Sequence, residues 1–153
     1  MAYEPTASEL ARHTFDFDAD TLDRELATFL QRFYTLSDDK VHADSWAACF
    51  SDDSRMKRKM DDVVGRQNIL NVNLESWKGQ AERLHIVYKV FPFSAGKPDE
   101  IMLYGKSEYD YEDGTTGEMP WSARLHFKRS DSGIAIDFYQ VYSGQLQKPK
   151  GSS

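Results

Sequence analysis

One cysteine, Cys49, stands in a chain of 153 residues, which excludes an internal disulfide and every cysteine-based metal site. In Ala47-Ala48-Cys49-Phe50 it reads as a small buried hydrophobe, and no histidine lies beside it to activate it as a nucleophile. Histidine is scarce as well. His13, His42, His85 and His126 show no metal-ligand spacing such as His-x-His or His-Glu-x-x-His, so no metal is expected. A glycine-rich phosphate loop and a Gly-x-Ser-x-Gly elbow are both missing, which sets aside nucleotide binding and nucleophilic catalysis and leaves no cofactor to expect. Positive charge is in deficit, 19 Lys and Arg against 25 Asp and Glu for a net −6, which argues against nucleic acid or an anionic membrane as partner. The one basic cluster, Arg55-Met56-Lys57-Arg58-Lys59, is interrupted by a methionine and followed by acids, as in a short half-exposed strand rather than a phosphate site. No apolar run approaches a membrane span and the opening residues lack the blocks of a signal peptide, so a reducing, cytoplasmic setting is expected.

Aromatic residues, by contrast, make up 13% of the chain. That leaves room for an aromatic-lined cavity beside a core, or for an aromatic core alone. The length is that of one domain: an arm over residues 1–17, the domain over 18–143 and a loosely held tail over 144–153. Leu22, Leu26, Phe29, Leu30, Phe33 and Leu36 keep helical spacing behind Asp18 and Asp20 as candidate N-caps. A shorter helix carrying Val41, Ser45, Trp46, Cys49 and Phe50 close to one face follows the polar elbow Ser37-Asp38-Asp39. Two short strands come next, then a third helix from Arg66 that Lys78-Gly79 stops. Four extended segments then follow, Arg83 to Phe93, Glu100 to Tyr111, Met119 to Lys128 and Ile134 to Tyr142, with turn residues between them. The expected fold is α+β, three helices packed on a strongly curved, mostly antiparallel sheet.

Strand alternation predicts two different sheet faces. Trp121, Ala123, Leu125 and Phe127 share one face, against Ser122, Arg124, His126 and Lys128 on the other. In the last strand, strict alternation groups Tyr139 and Val141 with the second face. Apolar and charged residues mixed on an outer face suggest a homodimer contact through Arg124, His126, Tyr139 and Val141.

The order of elements resembles that of the cone-shaped NTF2-like superfamily, whose fold is also called cystatin-like. Phe33 to Asp39, Trp46 to Asp53 and Val64-Gly65-Arg66-Gln67-Asn68-Ile69 resemble the elbow, second helix and "G-R-x-x-I" opening of SnoaL-like proteins. Leu84 to Phe93 and Trp121 to Phe127 are similar to a fungal branch of that group, and the likeness covers about Leu22 to Tyr142. It implies a pocket between the concave sheet and the helix elbow, commonly with a sheet-to-sheet homodimer. The superfamily hosts dehydratases, isomerases, cyclases and plain binding modules on one scaffold.

In scytalone dehydratase, a member of that superfamily, a histidine at a place similar to His85 faces the pocket and moves a proton. In this sequence strict alternation sets His85, Val87, Lys89 and Phe91 against Leu84, Ile86, Tyr88 and Val90. That turns His85 outward unless a bulge intervenes, so a pocket histidine and a sheet-surface histidine are both open readings. Asp38 stands where the dehydratase has an aspartate, but follows Ser37 rather than a tyrosine, and an ordinary N-cap is its other reading. Tyr34, Trp46, Tyr88, Tyr109, Trp121 and Tyr142 are candidate walls for a small apolar or aromatic molecule. With metal, nucleotide and nucleophile set aside, the expected chemistry is cofactor-free general acid-base work by His85 and Asp38, as in a lyase, isomerase or cyclase acting on an aromatic or polycyclic metabolite. A non-catalytic binding or interaction module is the alternative.

Overall fold

The computed structural model describes residues 3–148. Its elements are α1 (Ala7–Leu10), α2 (Arg24–Ser37), α3 (Ala43–Ala47), β1 (Phe50–Arg58), β2 (Asp61–Val64), α4 (Arg66–Ser76), β3 (Gln80–Pro92), β4 (Glu100–Tyr111), β5 (Thr116–Ser130) and β6 (Gly133–Ser143). The six strands form one sheet in the order β2-β1-β6-β5-β4-β3, antiparallel except for the parallel pair β1–β6. The three expected helices are α2, α3 and α4, and the meander runs as anticipated from β3 to β6.

The long helix starts later than its first acids suggest. Asp23, rather than Asp18 or Asp20, accepts the Leu26 N–H at 3.2 Å and caps α2, while Asp18 supports the preceding turn. The apolar stripe Leu26, Leu30 and Phe33 is fully buried against Ile101, Leu103, Ala123, Leu125 and Phe127 of the concave face. Such a stripe, at about 25 cal/mol per Å² of apolar surface removed from water, is the main force holding helix to sheet. α3 is shorter than its sequence pattern suggests. Phe50 already begins β1, and Val41 is exposed.

Bulges bend the sheet and decide which side chains face inward. One lies between Val87 and Lys89 of β3, opposite Gly105 and Tyr104. A second, at Asp137 of β6, follows from the pairings His126 with Phe138 and Phe127 with Ile136. Gly105 is required at the first: a Cβ there would collide with the Ile86 carbonyl oxygen and lie 3.1 Å from the Val87 Cα.

The arm is fastened to the domain. Tyr3 N–H donates to Ser45 Oγ at 2.8 Å, Gln31 donates to the Leu10 carbonyl at 2.8 Å, and Asp16 pairs in parallel with Lys89 on the edge strand β3. At the other end Glu118 and Gln147 exchange backbone hydrogen bonds of 2.8 and 2.7 Å. The expected loose tail is therefore held as far as this bridge, and its last residues, 149–153, lie outside the described residues.

Candidate active site

Two adjacent acids at the helix elbow have different tasks. Asp39 Oδ1 accepts the Val41 and His42 N–H groups, both at 3.0 Å, and so organises the entry to α3. Asp38, the C-cap of α2, turns toward the sheet. Its Oδ1 lies 2.6 Å from His85 Nδ1, and its Oδ2 accepts the His85 backbone N–H at 2.9 Å. Oδ2 also lies 3.2 Å from Nε2 of His13, which the arm delivers. Asp38 thus joins two imidazoles from distant parts of the chain, with its side chain only 8% exposed.

His85 faces the concave side because the β3 bulge lies beyond it. Arg83, His85 and Val87 point inward, the bulge shifts the alternation, and Val90 points inward again. Leu84, Ile86 and Tyr88 are left on the convex face. With Nδ1–H donated to a carboxylate, Nε2 of the His85 ring is left without a hydrogen-bond partner among the described residues. The ring sits between Tyr34 and Trp121, with centroids 5.8 and 5.6 Å away.

His85 lines a cavity of about 150 Å³ together with Trp46, Tyr109, Trp121, Tyr139 and Val141. Deeper in, the hydroxyls of Tyr34 and Tyr139 are 3.3 Å apart in a fully buried pair. Burial pushes the Tyr139 phenol up to about 12, and burial with the neighbouring phenol raises Tyr34 well above its ordinary value. Both are therefore neutral hydrogen-bond donors at physiological pH. Burial also depresses the His13 imidazole, against the opposing pull of Asp38.

Of the expected wall residues, Trp46, Tyr109 and Trp121 line the cavity and Tyr34 packs behind it. Tyr88 and Tyr142 do not. They stand on the convex face, 44% and 45% exposed, because a bulge in each strand shifts the alternation. Tyr139 and Val141 are displaced the opposite way. The bulge at Asp137 turns both inward to the cavity, so they are removed from the outer-face set, where Arg124 and His126 remain. His13, Arg58 and Arg83 are site residues that sequence reasoning missed. Arg83 shares its alternation with His85, which would have signalled it, whereas nothing local marks His13. A larger groove of about 550 Å³ crosses the ends of β3, β4 and β5, is lined by charges of both signs, and contains neither His85 nor Asp38. No group of three or more potential metal ligands occurs among the described residues, and no described helix is long and apolar enough to cross a membrane.

The sequence matches no protein-family model and no curated protein. Solved structures, in contrast, match the architecture at low identity. A candidate scytalone dehydratase from Novosphingobium aromaticivorans is similar with TM-score 0.70 at 11% identity, over 85% of this chain and 93% of that one. A hexachlorocyclohexane dehydrochlorinase (LinA) of type 2 is similar with TM-score 0.69 at 11% identity, over 83% and 88%. An NTF2-like protein of unknown function from Exiguobacterium sp. 255-15 gives TM-score 0.62 at 15% identity, over 76% and 98%. The fold is NTF2-like: an α+β cone in which a bent sheet wraps its helices around an internal cavity.

Proposed function

We propose that this chain is a cofactor-independent lyase that removes a proton from a carbon next to a carbonyl, with His85 as the base and Asp38 as the residue that orients it. The observation that carries this reading is the 2.6 Å contact between His85 Nδ1 and a nearly buried Asp38, with Nε2 left free at a cavity wall. In the proposed step His85 Nε2 takes the proton, and the C–H electron pair moves into the substrate carbonyl, giving an enolate. A neutral Tyr139 hydroxyl, backed by Tyr34, donates a hydrogen bond to that oxygen. Collapse of the enolate expels a group from the neighbouring carbon, and the imidazolium returns its proton to a departing hydroxide as water. Two structural neighbours bear the names of elimination enzymes, a dehydratase and a dehydrochlorinase, which supports elimination over isomerisation or cyclisation. The cavity volume of about 150 Å³ matches one benzene-sized ring, so the substrate proposed is monocyclic rather than polycyclic.

The test is a panel of cyclic β-hydroxy ketones, followed by the ultraviolet absorbance of the enone product. Wild-type protein is expected to convert at least one. His85→Ala should lose about a hundred- to ten-thousand-fold in rate while staying folded, and Asp38→Asn should also lose rate because it no longer fixes the tautomer. A folded His85→Ala protein with the wild-type rate ends the assignment. Ligand that is bound but never altered would favour the binding module.

A homodimer through the convex sheet face is part of the same proposal. Tyr88, Phe91 and Tyr104 cluster there, with centroid separations of 5.4 and 6.1 Å and exposures of 44–46%. Arg124 lies on the same face, stacked over Phe138 at 4.6 Å.

A further inference from the structure

We infer that the cavity takes a substrate bearing a carboxylate, held by Arg58 and Arg83 while the ring lies between the aromatic walls. This rests on the proposed lyase reading of the same cavity and names the class of molecule it accepts.

The charge of the lining departs from that of the chain. The protein carries a net −6, yet no aspartate or glutamate lines this cavity, whereas Arg58, Lys59 and Arg83 do. Asp38, behind His85, is already committed to two imidazoles. Elsewhere Arg32, Arg55, Arg66, Arg124 and Arg129 each have a carboxylate within reach, and Arg12 and Arg24 are exposed to water. Arg58 and Arg83 have neither full exposure nor an acid partner.

Arg83 is the stronger case. It is 9% exposed and meets only neutral groups. Nε donates to the Ser37 carbonyl at 2.8 Å, Nη1 donates to Ser76 Oγ at 3.0 Å, and the guanidinium stacks on Trp77 at 3.8 Å. Nη2 finds no partner among the described residues. Burial pulls the group down to about 10 against the opposing pull of the Asp38 charge, so it is still a cation at neutral pH, desolvated and with no carboxylate in direct contact. Such a charge is costly unless something neutralises it. On residues of the same lining, Arg58 Nε, Trp121 Nε1 and Ser143 Oγ are buried donors without a partner, and Asn73 Oδ1 and Gln80 Oε1 are buried acceptors without one. Buried polar groups ordinarily find partners, so this lining is short of them.

A carboxylate suits the fork of an arginine and needs little volume beyond the ring. It serves as a handle rather than the activating group, because removing a proton beside a carboxylate would place a second negative charge on it. The carbonyl that acidifies the reacting C–H is a separate group, directed at Tyr139. Binding energy from the remote handle then positions that C–H at His85 Nε2.

The experiment measures binding, not turnover, in the His85→Ala background, using benzoate, benzamide and inorganic phosphate by calorimetry. Benzoate is expected to bind about ten- to a hundredfold more tightly than benzamide, the range for a charged hydrogen-bonded contact. Arg58→Met should cut that preference, and Arg83→Lys, which keeps the buried charge but loses the guanidinium fork, should reduce it as well. Equal or absent binding of benzoate and benzamide overturns the inference, as does phosphate binding as tightly as benzoate or an Arg58→Met protein that keeps the preference. Because turnover is not read, a failed lyase assay with an intact benzoate preference would sink only the proposed reaction. Normal elimination with no such preference would sink only the carboxylate handle.

Discussion

At the scale of single residues, Asp38 gathers more of the site than any other side chain, and His13 is its least expected partner. His13 is buried and its imidazole is pulled below the usual value of 6.5 by desolvation, so the folded protein holds it neutral where the unfolded chain would protonate it. The sign follows from proton linkage. The stabilising contribution of neutral His13 is complete above about pH 6.5 and is lost as pH falls through the depressed folded value. Acidification should therefore weaken the arm. Urea unfolding at pH 7.5 and pH 5.5 should show a larger loss of stability for the wild type than for His13→Asn, which has no proton to bind. Protection of the amides around residues 10–16, taken relative to their intrinsic exchange rates at each pH, should fall at the lower pH only in the wild type. Identical pH dependence in the two proteins would remove His13 from this account.

Among the elements, β3 carries the most consequence. It is an edge strand whose free side is partly covered by the arm at Asp16, and its bulge allows His85 and Val90 to face the same interior despite their odd and even positions. Gly105 on β4 makes that arrangement sterically feasible. Gly105→Ala is expected to cost about 1–3 kcal/mol, the range for overpacking a closely filled site, visible as a lower urea midpoint. Because the strain falls on Ile86 and Val87, next to His85, the variant should also lose affinity for benzoate. Full stability in Gly105→Ala would mean that the bulge forms without the close approach.

For the whole molecule, the question is what covers the convex face. An antiparallel sheet with Tyr88, Phe91 and Tyr104 exposed on one side presents aromatic surface of the kind found at protein interfaces. The proposed dimer should give a mass of about twice the chain's 17.6 kDa by light scattering at micromolar concentration, and Tyr104→Glu should return it to the monomer without unfolding it. A wild-type mass near that of one chain would exclude the dimer. The cavity lies on the other face of the sheet, so the Tyr104→Glu protein should bind benzoate as the wild type does.

What the sequence determined by itself is what depends on neighbours in the chain. Helical spacing from Leu22 to Leu36, turn residues between four extended runs and the lack of cysteine or metal-ligand spacing are local facts. They were enough to read an α+β sheet-and-helix architecture, whereas His85 and Asp38 were nominated by the resemblance to the superfamily's dehydratase. The facing of side chains was decided only in three dimensions. A bulge adds one residue to one strand, leaves little mark on composition, and reverses the alternation of all that follows. That is why Tyr139 and Val141 lie inside and Tyr88 and Tyr142 outside. Contacts between distant residues were decided there too. Asp38 and His85 stand 47 positions apart, His13 arrives on a separate arm, and Arg58 and Arg83 share one cavity from different strands. Burial takes Arg83 out of water with no carboxylate in contact, and burial is a property of the packed chain rather than of any stretch of it.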